Sequence, residues 1–218
     1  MKLESVGILI SLRPLGERDA VAHIFSYDYG IMVGVMKGAQ IAKKNRPLIG
    51  QVGSLSWNAR LDSQLGAFHW EAEKNMAAVL MTMPDALAMM NSAFDLIDAL
   101  LPERERYETL YDETILLIRN LGTTGALQSY IDWEVVLLRE LGYALNLSCC
   151  SGCGTKKDLE FLSPKTGRAV CKTCAEPYIN KVYKLPINLN VTQNFLEKVC
   201  DNQGVLLPAS RKFLNKKY

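Results

Sequence analysis

The sequence predicts an α+β protein with two parts, a small amino-terminal β-barrel and a larger α-helical region that carries a metal-binding insert. Three observations predict this class. Short apolar runs separated by turn residues occupy residues 4–73, the apolar period then changes to that of helices, and two Cys-x-x-Cys pairs follow near residue 160. With 218 residues, 49% of them hydrophobic, the chain is long enough to form packed cores.

Five short strands are predicted in the amino-terminal part. Apolar runs begin at Val6, Ala20, Ile31, Val52 and Gly66, with turn residues such as glycine and proline between them. Five strands with few helix-length patterns between them are typical of a small closed antiparallel barrel, and an OB-fold has this strand count and size. We therefore predict an OB-fold nucleic-acid-binding domain over residues 1–75.

Positive charge is concentrated between the third and fourth predicted strands. No acidic residue occurs from Tyr29 to Leu61, and a phosphate backbone can dock on a cationic connection of this kind. A solvated charged loop is the alternative. Tyr27 and Tyr29, at a predicted turn, are expected to be the exposed aromatic pair. The candidate nucleic-acid-binding residues are Arg13, Arg18, Lys37, Lys43, Lys44 and Arg46.

Helical periodicity begins after Glu73 and predicts an α-helical domain over residues 76–218. The predicted helices cover residues 76–83, 87–101, 107–121, 125–141 and 191–199, the last with Thr192 as its cap. The Met-rich start of this region is interpreted as core, with an adaptable partner groove as the alternative. The basic tail is expected to be partly helical, with Arg211, Lys212, Lys216 and Lys217 either solvated or in reach of DNA.

Two Cys-x-x-Cys pairs, Cys150/Cys153 and Cys171/Cys174, are the strongest local signal in the chain. The seventeen residues from Gly154 to Val170 separate them, a spacing expected of a four-thiolate zinc site. Gly154 can take the positive φ that favours such a turn. Four thiolates leave no open position for water, so we predict one structural Zn²⁺ in an insert at about residues 147–178.

Other interpretations of these cysteines each lack a requirement. A disulfide pair needs an oxidising compartment, a redox dithiol needs one Cys-x-x-Cys in a βαβ setting, and an iron–sulfur cluster shows a different cysteine run. Cys149 is an alternative ligand to Cys150, and Cys200 is expected to be a core thiol.

The charges are segregated along the chain although the net charge is only +2. Residues 76–140 hold four basic and eleven acidic residues, whereas residues 141–218 hold twelve basic and five acidic residues. A basic block beside short strands and a basic carboxyl-terminal third indicate a polyanionic partner, most simply nucleic acid.

Several functional classes find no support in the sequence. It contains no phosphate-binding loop of the ATPase kind, no H-E-x-x-H and no G-x-S-x-G motif, so we do not expect an enzyme. His23 and His69 occur in predicted strands and are expected to be packed. The amino terminus lacks a long apolar segment, which predicts a cytoplasmic protein with reduced thiols.

Beyond these patterns, the chain resembles the RecO family of bacterial recombination mediators over nearly its whole length. The stretches that carry the resemblance are SLRPLGERDAVAHIFSYDYGIMVGVMKGA, WEVVLLRELGYALNL, and LSCCSGCG continuing to LEFLSPKTGRAVC and AEPY. The resemblance implies an OB-fold followed by an α-helical domain with a zinc-binding insert. It maps the zinc ligands onto Cys150, Cys153, Cys171 and Cys174, and the basic loop onto Lys37 through Arg46.

The family resemblance also implies a function in DNA repair. It implies binding of single- and double-stranded DNA, annealing of complementary strands, and action with RecR to load the recombinase onto DNA coated by single-strand DNA-binding protein. That protein's acidic carboxyl-terminal tail is an implied partner, and Arg139 is our candidate contact for it. A zinc-stapled adaptor that recruits proteins without annealing strands is the alternative.

Overall fold

The computed structural model describes residues 1–42, 46–60 and 65–218. In it, five strands at the amino terminus close into a barrel. The predicted fold class is confirmed, because this OB-fold-like barrel precedes a helical region that contains the four-cysteine insert. The barrel strands are β1 (Lys2–Leu15), β2 (Asp19–Ser26), β3 (Gly30–Met36), β4 (Gln51–Asn58) and β5 (Gly66–Asn75).

The barrel has the strand order β1-β2-β3-β5-β4. All neighbours pair antiparallel except β3 and β5, which pair in parallel from Gly34↔Gly66 to Met36↔Phe68. β1 closes the barrel because it is long enough for two partners. Its first half pairs with β4 and its second half pairs with β2, with a register shift between Leu9 and Ser11.

The first strands are buried on both faces. Leu9, Ile24 and Met32 point into the barrel core, whereas Ile8 and Phe25 pack into the core of the helical region. This double burial explains why β1 has a continuous apolar run instead of strict alternation. Because one core extends from the barrel into the helices, the division of the chain between residues 75 and 76 stays a prediction.

The helical region is built from five longer helices. They are α1 (Pro84–Leu100), α2 (Glu108–Asn120), α3 (Ala126–Glu140), α5 (Leu189–Gln203) and α6 (Ala209–Lys217). The prediction of a separate helix over residues 76–83 was wrong, because this stretch forms turns and one short 3-10 segment, Leu80–Thr82, before Pro84 starts α1. α5 begins earlier than predicted, and its cap is Asn188, whose side chain accepts from the Val191 N–H, instead of Thr192.

The insert lies between α3 and α5. It contains β6 (Leu159–Leu162), β7 (Ala169–Cys171), the single turn α4 (Lys172–Ala175), a 3-10 segment (Glu176–Lys181) and β8 (Tyr183–Lys184). Its three strands form a small antiparallel sheet in the order β7-β6-β8. A backbone hydrogen bond anchors the insert to the helical region. Asn146, in the segment after α3, donates its N–H to the carbonyl of Gly167 in the turn between β6 and β7.

A strap formed by residues 101–107 fastens the barrel to the helices. Glu103 bridges to Ile31, the Arg104 N–H donates to the Ile31 carbonyl at 2.9 Å, and the Arg104 guanidinium stands 4.5 Å from the Trp57 ring centre. Gly30 lies directly beneath this strap with φ +62°.

We expect Gly30→Ala to loosen the joint between barrel and helices. An added Cβ would stand 1.7 Å from the Glu105 carbonyl oxygen, and the residue would also be held at a positive φ. Steric clashes of this kind typically cost about 1–3 kcal/mol. Thermal unfolding measures the loss, and Gly16→Ala is the matched control, because Gly16 also has positive φ but has free space around it. Equal melting temperatures for the two variants would contradict the strap.

The carboxyl-terminal helix is fixed by an ion pair in the core. Arg211 is fully buried, and its guanidinium binds both carboxylate oxygens of Glu134 on α3 and the Leu189 carbonyl at 2.8 Å. Thr192 donates to the same carboxylate. The expectation that Arg211 is solvated or reaches DNA was therefore wrong.

Candidate metal centre and nucleic-acid interface

Cys150, Cys153, Cys171 and Cys174 bring their sulfur atoms together at one end of the insert. All four lie within 4.8 Å of one another, so the cluster can hold a metal ion. Cys153 Sγ and Cys171 Sγ are 3.7 Å apart. A tetrahedral zinc site with bonds of about 2.3 Å requires sulfur separations of about 3.8 Å, so the donor set and its spacing fit that ion.

The backbone around the cluster donates hydrogen bonds to sulfur and leaves space for it. Cys150 Sγ accepts from the N–H groups of Cys171 and Gly152, each at 3.3 Å. A side chain at residue 152 would place its Cβ 3.1 Å from Cys174 Sγ, a tight contact that glycine avoids. Gly154 has φ +75°, as expected for the turn after Cys153.

The thiol pKa values reflect this crowding. Donation from the Cys171 N–H, and further backbone donors, lowers the pKa of Cys150 to about 6. The pKa of Cys174 is raised to about 12, because its thiol donates to the sulfur atoms of Cys171, Cys153 and Cys150. Four thiolates this close repel each other, and a cation between them would remove the repulsion.

The other two cysteines stay outside this cluster. Cys149 Sγ accepts from the Ser148 hydroxyl at 3.8 Å, so Cys150 is the member of its pair that reaches the other sulfurs. Cys200 is buried in the helical core, as expected, and burial raises the pKa of its thiol.

Arg18 and Lys37, two of the predicted nucleic-acid-binding residues, lie on linked turns at one end of the barrel. Asp19 joins their turns, because it accepts from the Gly38 N–H at 2.8 Å through its side chain and from the Gln40 side chain at 3.0 Å through its carbonyl. The Gln40 N–H also donates to the Arg18 carbonyl at 3.0 Å. Arg18 and Lys37 are both exposed there, and neither forms an ion pair with a described acid.

The remaining candidates have different settings. Lys43 and Lys44 lie outside the described residues. Arg46 is exposed at the rim of an apolar depression between the barrel and α1, which is lined by Leu12, Pro47, Leu48, Ile49, Met81 and Leu87 among others. Arg13 is 70% exposed but turns toward α1, where its guanidinium lies 3.4 Å from Asp98. The role of all six residues in binding nucleic acid stays a prediction.

The aromatic and histidine predictions need correction. Tyr27 and Tyr29 are only partly exposed. Tyr27 packs edge-on against Tyr111 with the Arg106 guanidinium 5.4 Å from its ring centre, so residues distant in sequence cover it. His23 is partly buried against Asp98 as expected, whereas His69 is exposed beside Glu71.

Arg139 lies at the end of α3 with about half of its side chain exposed. It contacts the adjacent Glu140 at 3.3 Å instead of an acid one turn away. Its guanidinium is accessible from solvent, and its contact with a partner tail stays a prediction.

The fold and the cluster define a class of protein, an OB-fold-like barrel joined to a helical body with a four-cysteine metal-binding insert. Residues 81–206 match the family model described as "Recombination protein O C terminal". The chain is 38% identical over 183 residues to the DNA repair protein RecO of Dinoroseobacter shibae, which covers 83% of this chain and 76% of the relative.

Two further relatives have the same name. The RecO protein of Rhodospirillum centenum is 39% identical over 82% of this chain and 73% of its own length. That of Cereibacter sphaeroides strain ATCC 17025 is 35% identical over 94% of this chain and 93% of its own length. The chain therefore belongs to the RecO family of DNA repair proteins. Within the described part of the chain, no helix has the length and apolar character needed to span a membrane.

Proposed function

We propose that this protein is a DNA repair and recombination mediator that binds single- and double-stranded DNA and anneals complementary strands. With RecR, it helps to load the recombinase onto DNA coated by single-strand DNA-binding protein, whose acidic tail it contacts near Arg139. Membership of the RecO family supports the repair role. The observation that carries the proposal is the OB-fold-like barrel of a RecO-family chain with Arg18 and Lys37 exposed at one end.

In this proposal the protein acts by binding DNA and catalyses no reaction. The stretch from Tyr29 to Leu61 contains cations and no acidic residue, whereas a nuclease would need clustered carboxylates near its substrate. We place this activity in the cytoplasm, on nucleoid DNA.

We further propose that the four cysteines hold one Zn²⁺ in a structural role. Their close sulfur atoms and the N–H donors to Cys150 support this. With all four ligands supplied by cysteine, the ion would hold the two Cys-x-x-Cys turns together and would leave no site for a substrate.

Replacing Lys43, Lys44 and Arg46 together by alanine is expected to weaken binding to single-stranded DNA. Each lost phosphate contact should reduce the slope of log K against log salt concentration by about 0.7, so three contacts should reduce it by about 2. Fluorescence anisotropy with a labelled oligonucleotide at several salt concentrations measures this slope. The control is Arg119→Ala, an exposed cation on α2. A triple variant with the slope of the unmodified protein would exclude the barrel loop as a contact.

The adaptor remains the second candidate function, and the apolar depression beside Arg46 favours it. Large hydrophobic side chains are exposed around this depression, including Met81 at 51% and Ile49 at 37%. Such a surface suits a protein partner. An adaptor would leave the pairing of complementary strands unaccelerated, whereas the mediator would accelerate it.

A further inference from the structure

A cationic cleft lies where the insert meets α5. Its volume is about 170 Å³, and its walls include Tyr143, Lys165, Thr166, Gly167, Phe195 and Lys198. The side chains of two lysines therefore line one small opening, together with the hydroxyl-bearing side chains of Thr166 and Tyr143 and the Phe195 ring. Ammonium and hydroxyl groups are donors that bind phosphate oxygens in proteins.

The turn that forms one wall of the cleft is held from two sides. The Lys198 ammonium donates to the Pro164 carbonyl and stands 4.9 Å from the Phe195 ring centre. On the other side, the Asn146 N–H donates to the Gly167 carbonyl at 2.8 Å. The backbone of the turn is thus fixed to both α5 and the segment after α3 before any ligand arrives.

Unpaired positive charge continues from the cleft along the insert. Lys165 and Arg168 are exposed at the hairpin turn, Lys172 follows β7, and Lys184 lies on β8. None of these four forms an ion pair with an acid in the part of the chain that the structure describes. Residues 147–184 hold seven basic and three acidic residues, and this excess of positive charge attracts a polyanion.

We propose that this cleft and the adjoining hairpin form a second nucleic-acid contact, in which Lys165, Thr166 and Lys198 bind the phosphates of a single strand. The inference rests on the proposed function and adds a second site to it. A nucleic-acid backbone is favoured over an acidic peptide, because the cations extend beyond the cleft to Arg168, as a chain of repeated phosphates requires.

A second contact explains how one chain can anneal strands. Annealing requires two strands to be held close together, and a single cationic groove holds one. The barrel turns carry Arg18 and Lys37, whereas the cleft belongs to the insert and α5, so the two contacts lie on separate structural elements.

The test measures binding of a labelled oligothymidylate to the full-length protein across salt concentrations. Lys165→Gln should reduce the salt slope by about 0.7, and Lys165→Gln combined with Arg168→Gln should reduce it by about 1.4. Arg119→Gln removes the same charge from the exposed face of α2 and should leave the slope unchanged. Lys198→Met tests the remaining ammonium, and metal content and melting temperature report whether that variant keeps its fold.

A capture experiment tests the role of two strands. The protein bound to an immobilised strand should retain a second, non-complementary labelled strand, and the double glutamine variant should lose most of this capture.

The outcomes separate the two proposals. Wild-type protein without salt-dependent binding would contradict the proposed function itself. Wild-type binding with an unchanged slope and unchanged capture in the double variant would overturn the second contact alone. If the double variant instead loses affinity only for a labelled oligo-aspartate peptide, the cleft is a protein-binding site and the inference is wrong.

Discussion

Replacing Arg211 by methionine is expected to lower the free energy of unfolding by about 3–5 kcal/mol, because it leaves a buried carboxylate without its partner. Arg211 and Glu134 are both fully buried, and Arg211 also binds the Leu189 carbonyl and the Thr192 hydroxyl. One guanidinium therefore connects α3, α5 and α6. Urea unfolding followed by tryptophan fluorescence, to which the buried Trp133 on α3 contributes, measures the loss.

Two further variants make this prediction specific. Lys212→Met removes a charge from the exposed side of the same helix and should change stability by less than about 0.5 kcal/mol. Arg211→Met combined with Glu134→Leu should recover much of the lost stability, since an apolar pair needs no counter-charge. An Arg211→Met protein that unfolds at the wild-type urea concentration would show that this ion pair does not fix α6.

Removal of the proposed zinc ion is expected to unfold the insert. Structural zinc sites in small peptides contribute about 10–16 kcal/mol of apparent binding free energy, and the short strands of the insert have only a small apolar core of their own. We expect about one zinc per chain by elemental analysis. Cys174→Ser should abolish this binding and expose residues 147–184 to limited proteolysis.

The matched control for the metal prediction is Cys149→Ser. Cys149 lies next to Cys150 but outside the sulfur cluster, so this variant should keep both its metal and its protease resistance. Equal metal loss in the two serine variants would show that the ligand set is different. Wild-type protein that contains no metal after purification without chelator would contradict the structural zinc itself.

The elements that the sequence predicts correctly are those whose signals are local. Alternating and continuous apolar runs mark the five strands, and the spacing of Cys150, Cys153, Cys171 and Cys174 predicts the cluster that they form. Local patterns are informative here because a strand or a Cys-x-x-Cys turn requires particular residues within a few positions.

Interactions between distant residues are not revealed by the sequence in this way. The lysines around Arg211 predict a solvated tail, although Arg211 lies three positions before the buried Leu214 on one helical face. Glu134 lies among the inward residues Trp133 and Leu137 of α3. In each helix a charged residue therefore occupies the face that otherwise holds buried apolar residues. One such residue of each sign is the sequence pattern that indicates a buried ion pair.

Local sequence patterns also do not predict which aromatic side chains of the barrel are exposed. Tyr27 follows a strand at a turn, where an exposed ring is the ordinary expectation, yet Tyr111 and Arg106 cover it. Both of those residues come from the helical region, about eighty positions further along the chain. The cleft between the insert and α5 is not predicted by the sequence for the same reason, because it exists only after Lys165 and Lys198 are brought together.

The central claim is that this protein acts on DNA by holding strands, and the annealing rate of the isolated protein tests it most directly. Complementary oligonucleotides labelled with a fluorophore and a quencher are mixed with and without protein at low and high salt. We predict a large acceleration at low salt that declines steeply as salt increases, since phosphate contacts release counterions. Annealing that stays at the protein-free rate even at low salt would contradict the claim and favour the adaptor.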